Sequence, residues 1–77
     1  MEITLYTKDG CTLCDKLKDQ LALIQDQFPH QLAEVDITTD DSLFQKYRYT
    51  IPVLRMGDNE IAAPIDDVKL KAFLSES

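Results

Sequence analysis

The apolar rhythm changes twice within the first half of the chain, and nothing else limits the possible folds so much. From Met1 to Thr7, Ile3 and Leu5 alternate with Glu2 and Thr4 in a β-branched and aromatic run, which predicts a strand ended by Lys8-Asp9-Gly10. From Leu13 the repeat lengthens to Leu13, Leu17, Leu21, Ile24 and Phe28, a helical stripe that leaves Asp15, Lys16, Lys18, Asp19 and Asp26 for water. Pro29 stops that helix. His30 and Gln31 form a short link, and Ala33-Glu34-Val35-Asp36-Ile37 alternates again as a second strand. Strand, long helix and strand in about 30 residues predict a right-handed crossover, and so a parallel pair.

The second half completes a sheet. Thr39, Asp40 and Asp41 offer N-cap oxygens to a shorter helix whose inward face is Leu43, Phe44 and Tyr47. Tyr49-Thr50-Ile51-Pro52 interrupts, and the apolar runs Val53 to Met56 and Glu60 to Ala63 flank Gly57-Asp58-Asn59 as an antiparallel hairpin. After Pro64-Ile65, Asp66 or Asp67 can cap a last helix that buries Val68, Leu70, Phe73 and Leu74. The expected order is β-α-β-α-β-β-α. It makes an α/β fold with a four-stranded mixed sheet and helices on both faces. Residues 1–77 read as one domain, without linker or repeat.

Charge narrows the partners. Fourteen acids against eight bases give a formal charge of −6, so nucleic acid and anionic membrane, which need clustered bases, are not expected. No apolar run approaches the ~20 residues of a membrane span, and the N-terminus has neither the basic start nor the apolar core of a secretion signal. A cytoplasmic protein is expected. No long hydrophobic edge strand demands a partner, which favours a monomer.

Chemistry concentrates at Cys11-Thr12-Leu13-Cys14, two thiols three positions apart between a strand and a helix. Their disulfide would close too small a loop to restrict the unfolded chain much, so a structural staple explains the pair poorly. A redox dithiol explains it better. The first N–H groups of a helix lack intrahelical partners and carry about +0.5 of an elementary charge, which favours a thiolate at Cys11. Lys8 helps, Asp9 and Asp15 oppose, and the helix end with the lysine is expected to win, holding Cys11 below the ordinary free thiol. Cys14, one turn deeper, can resolve a mixed disulfide.

Lys8-Asp9-Gly10-Cys11-Thr12-Leu13-Cys14 after a strand, Thr50-Ile51-Pro52 before a hairpin and Asp66-Asp67 at a helix start together resemble the glutaredoxins of the thioredoxin fold. The run Leu5 to Asp15 is especially similar to small bacterial glutaredoxin-like proteins whose site reads C-x-L-C. The resemblance spans essentially the whole chain in element order. It implies a thiol–disulfide oxidoreductase that transfers electrons in cell redox homeostasis, with Cys11 as nucleophile and Cys14 as resolving thiol. It also implies a cis Ile51-Pro52 bond beside the dithiol, where the Ile51 backbone would meet an extended substrate. Lys8 matches a basic residue that can pair with a glutathione carboxylate, and Asp66 and Asp67 are candidates for its amino group. The substrate is then a disulfide-bearing protein or a glutathione mixed disulfide. Glutathione is a co-substrate, with no bound cofactor or metal. Ala62-Ala63 stands where typical glutaredoxins have Gly-Gly, and side chains there obstruct the γ-glutamyl end.

The alternative is a non-catalytic module of the same fold, used for docking or for holding a metal or iron–sulfur centre. A structural zinc site wants four ligands, and the chain offers two cysteines and His30. His30 follows the far end of the helix from the dithiol and reads as a surface residue. Tyr6 reads as core or sheet surface. Tyr47 and Tyr49 around Arg48 read as half-buried packing or as a substrate rim.

Overall fold

Strand alternation decides which side of the sheet each residue serves. The computed structural model describes residues 1–76. β1 (Glu2–Thr7) leads to α1 (Thr12–Leu23) and β2 (Gln31–Asp36), then α2 (Asp41–Tyr47), β3 (Val53–Met56), β4 (Asn59–Ala62) and α3 (Asp67–Ser75). The sheet has four strands in the order β2-β1-β3-β4. β1 runs parallel to β2, with Glu2 opposite Gln31 and Thr7 opposite Asp36. It runs antiparallel to β3, with Leu5 opposite Leu54, and β3 pairs antiparallel with β4. The crossover, the mixed sheet and the thioredoxin-like element order are therefore as the sequence predicts.

Ile3, Leu5 and Leu54 point to one face, where they join Leu17 and Leu21 of α1 and Leu70, Phe73 and Leu74 of α3. The neighbouring residues Tyr6 and Val53 point to the other face and meet Ile37, Tyr47, Leu43 and Phe44 at α2. Each strand thus supplies two cores, because successive side chains leave it in opposite directions. Tyr6 stacks on Tyr47 with ring centroids 4.6 Å apart, and the Tyr47 hydroxyl donates to a Glu60 carboxylate oxygen. Tyr47 is therefore packed inside, whereas Tyr49 is 85% exposed and lies under the Arg48 guanidinium.

Local chemistry fixes the ends. Asp36 caps a single 3₁₀ turn, Ile37–Thr39, which brings the buried Ile37 beneath α2. The hydroxyl and the backbone N–H of Thr38 hold the Asp36 carboxyl below its ordinary pKa. Asp40 then caps α2 by accepting from Ser42 and Leu43 N–H. The hairpin is tighter than the sequence suggested: Met56 pairs with Asn59 across Gly57-Asp58, and Gly57 at φ 61° supplies the left-handed first turn residue of a two-residue loop.

Three expectations need correction. The first helix stops at Leu23 rather than continuing to Phe28. The residue before a proline is disfavoured in helical conformation, and the chain unwinds ahead of Pro29 through turns. The Phe28 N–H still reaches the Ile24 carbonyl at 2.8 Å, so both side chains keep their places on the core without a helix between them. Leu13, at 55% exposure, and Val68, at 79%, are not core residues. Cys14 rather than Leu13 turns inward from the first turn of α1, and Val68 stands about 200° around α3 from Leu70, off the face that Leu70, Phe73 and Leu74 bury. Ala33 is likewise exposed, because β2 is an edge strand.

Candidate active site

Gly10 makes the turn between β1 and α1. Its φ of 77° is left-handed, and a Cβ there would meet nothing within 4 Å, so glycine serves the backbone angle rather than a close approach. The next residue, Cys11, is the N-cap of α1, with extended backbone. Its Sγ accepts the Cys14 N–H at 3.1 Å, as a capping serine oxygen would. Cys11 and Cys14 are joined as a disulfide with Cα atoms 5.2 Å apart. Cys11 is half-buried, whereas Cys14 is wholly buried on the inner face of α1. The helix start therefore presents one sulfur outward and keeps the second behind it. The N–H that now meets the disulfide sulfur would stabilise a Cys11 thiolate after reduction.

A groove of about 200 Å³ has Leu13, the residue just before Cys14, among its walls. Leu13, Leu17, Pro52, Ala63, Pro64 and Ile65 form its apolar walls, and Lys16, Gln20 and Asp66 stand around them. The wall opposite α1 is the loop after β4, and it is tied down twice. The Ala63 N–H reaches the carbonyls of Thr50 (3.3 Å) and Pro52 (3.0 Å), which fastens it to the Pro52 loop. The Lys69 ammonium donates to the carbonyls of Ala62 (2.9 Å) and Pro64 (3.1 Å). Asp66 caps α3 by accepting the Lys69 N–H at 2.7 Å, and Asp67 accepts from the Gln20 amide at 2.9 Å. The Ile51-Pro52 bond is cis, as the resemblance implies, and so is Ala63-Pro64, which no sequence signal announced.

A second, polar cleft of about 260 Å³ lies around the Gly10 turn, lined by Lys8, Asp9, Asp15, Lys18, Glu34 and Asp36 among others. The Lys18 ammonium pairs with Glu34 at 3.2 Å and Asp15 at 3.4 Å. Those hydrogen bonds and charges, Glu34's first, raise the Lys18 pKa.

The structure thus brings together Cys11 and Cys14, and it sets Pro52 and Asp66 in one groove. Lys8 lines the other cleft and is not brought to that groove. Asp67 is engaged with Gln20. Ile51 is half-buried, and its N–H already donates to the Tyr47 carbonyl at 3.1 Å, so an incoming strand would find that donor in use. Leu13, Pro64 and Ile65 line this groove and Lys69 ties its loop, and the sequence reading names none of them as candidates. Leu13 fits the helical stripe, which predicts a core residue. Its one distinguishing signal is its place between the cysteines, where core packing conflicts with access. Among the described residues, no group of three or more His, Cys, Asp and Glu side chains is placed to hold a metal ion. His30 turns its Nδ1 to the Phe28 carbonyl, 2.7 Å away.

The sequence profile of the glutaredoxin-like domain (DUF836) matches residues 2–75. This chain belongs to the glutaredoxin-like family. Its structure is similar to that of the target protein XcR50 from X. campestris, at 33% identity, 97% coverage of each chain and a TM-score of 0.85. The wider fold is that of the thioredoxins. Thioredoxin 1 from Thermosipho africanus superimposes with a TM-score of 0.71 at 18% identity, over 99% of this chain and 92% of that one. The glutaredoxin-like protein NrdH-redoxin from Escherichia coli does so at 0.67 and 19% identity, over 92% and 93%. No helix among the described residues of this glutaredoxin-like chain is long and apolar enough to cross a membrane.

Proposed function

We propose that the protein is a thiol–disulfide oxidoreductase that cycles the Cys11–Cys14 pair. The observation that carries this reading is the unequal burial of two bonded cysteines at one helix start: Cys11 partly exposed and capping, Cys14 enclosed. In the reduced protein the Cys11 thiolate attacks one sulfur of a substrate disulfide. That S–S bond breaks, a mixed disulfide forms, and the first substrate thiolate leaves and takes a proton from water. Cys14 then loses its proton and attacks the Cys11 sulfur, which releases the second substrate thiol. Two electrons pass from the dithiol to the substrate, and the Cys11–Cys14 disulfide remains. A reducing thiol or dithiol, glutathione among them, would reopen it by the same exchange in reverse. Family membership supports the reading, as does the thioredoxin-like activity profile ascribed to NrdH-redoxin, a structural neighbour.

Pro52 and the Ile51 carbonyl would border an incoming substrate, and Asp66 and Lys8 would meet its charged groups from two sides. The protein would act as a monomer in the cytoplasm. The test is thiolate absorbance against pH in a Cys14→Ser variant, together with trapping of the mixed disulfide. A Cys11 midpoint below that of a free thiol and an adduct at Cys11 are expected. A midpoint at or above the free thiol, with no adduct, would remove the activated nucleophile.

A further inference from the structure

Resting on that reading, we infer that Lys69 is a positioning residue for the exchange. Its ammonium holds the loop after β4 and, through the Ala63 N–H, the Pro52 loop that a substrate disulfide passes on its way to Cys11.

The residue type argues for this first. Lys69 is the third residue of α3, behind the Asp66 cap. The helix dipole places about half a positive charge at that end, and a reciprocal cap would put glutamate or glutamine at this position, so a lysine works against the helix that carries it. Such local conflicts mark residues that serve something else. The side chain shows what that is. It is exposed, it follows Asp66 and Asp67, and it lines a cleft with Asp58, Glu60 and Glu76. Carboxylates are thus within its neighbourhood, yet the ion pairs among the described residues are those of Lys18. The Lys69 ammonium turns back over the helix start instead and donates to two neutral carbonyls, Ala62 at 2.9 Å and Pro64 at 3.1 Å.

Topology carries that tie to the dithiol. β4 is an edge strand and Ala62 is its last residue, so the loop leaves the sheet with a neighbour on one side only. The two carbonyls bracket Ala63, whose N–H donates to the carbonyls of Pro52 (3.0 Å) and Thr50 (3.3 Å). Val53, directly after Pro52, lies opposite Tyr6. Pro52 is therefore set at the end of β1 from which the Gly10 turn leads into Cys11. Ammonium, loop and Pro52 make one chain of hydrogen bonds, and Lys69 acts on the exchange through it. Its loss should weaken docking and leave the Cys11 thiolate as it is. When the loop spends part of its time out of place, the half-saturating substrate concentration rises by the inverse of the fraction still in place.

The test uses the full chain, reduced to its dithiol form, in single turnovers with two disulfides. One is the symmetrical disulfide of a short cysteine peptide. The other is dithiobis(nitrobenzoate), a small aromatic disulfide that reports the Cys11 thiolate with no peptide backbone to dock. Rate against peptide concentration gives a limiting rate and a half-saturating concentration. Lys69→Met should raise the half-saturating concentration by about three- to tenfold, the worth of roughly one hydrogen bond. The limiting rate, the Cys11 thiolate midpoint and the rate with the aromatic disulfide should stay as in the parent. Lys69→Arg keeps the charge and the donors and should recover most of the loss. Lys71→Met, the same change of charge two residues along α3, should behave as the parent does. A half-saturating concentration unmoved by Lys69→Met, an equal rise in Lys71→Met, no recovery in Lys69→Arg, or an aromatic disulfide slowed in step with the peptide would overturn the positioning role while leaving the dithiol chemistry intact. If the parent reduces neither disulfide, the oxidoreductase reading itself fails.

Discussion

Val68 and Leu70 provide a sharp test of the packing, because the sequence reading expects both inside and the structure separates them. Leu70 is 1% exposed and shares a core with Phe73, Leu74, Leu17 and Leu54, whereas Val68 is 79% exposed two residues earlier on α3. Cutting a buried leucine to alanine costs about 2–5 kcal/mol, depending on how far the site collapses. A 77-residue chain at about 0.05–0.15 kcal/mol per residue has only about 4–12 kcal/mol in total. Leu70→Ala should therefore remove a large share of the stability and lower Tm by about 8–40 °C. Val68→Ala loses little burial and replaces a β-branched residue with the best helix former, so it should fall within about ±0.5 kcal/mol of the parent. Urea unfolding followed by circular dichroism, on the oxidised protein and with m unchanged between variants, gives both numbers. Equal losses at the two positions, or a Leu70→Ala loss below about 1 kcal/mol, would refute the placement of α3.

Tyr47→Phe removes the hydroxyl and its bond to Glu60 and should cost about 1 kcal/mol, whereas Tyr47→Ala also empties the stack on Tyr6 and should cost about 3–5 kcal/mol by the same urea assay. Burial chiefly, and then the bond to Glu60, raise the Tyr47 pKa, so its contribution is complete below the ordinary phenol value and is lost as pH rises through the raised one; ultraviolet titration should show a late-ionising tyrosine that Tyr47→Phe abolishes. Asp36 has the opposite sign: its lowered pKa gives stability that is present above the ordinary carboxylate value and lost as pH falls through the lowered one. Thr38→Val should flatten the drop in urea midpoint below about pH 4. Lys69→Met frees the Ala62 and Pro64 carbonyls, and amide exchange at Ala63 should quicken while that at Leu54 stays slow; equal rates in parent and variant would show that the ammonium does not hold the loop.

Sequence alone settled what depends on neighbours along the chain. The period-two run at Ile3 and Leu5, the longer repeat through Leu17 and Leu21, and the capping oxygens of Asp40 and Asp66 are local features. They fix elements whatever those elements later touch. The cysteine spacing likewise placed both sulfurs at the start of α1. Only the tertiary arrangement decided the rest. Whether Leu13 is covered depends on how the start of α1 sits against its neighbours, which no repeat along the chain encodes, whereas the exposure of Val68 follows once Leu70, Phe73 and Leu74 set the buried face of α3. The groove has walls from α1, the Pro52 loop and the loop after β4, the first far along the chain from the other two, so its apolar character exists only once the crossover and the hairpin have closed. Lys8 and Lys69 make the same point in charge. In the sequence both are bases near the dithiol or its flanking loop, and folding alone sends one to a separate polar cleft and turns the other to backbone carbonyls.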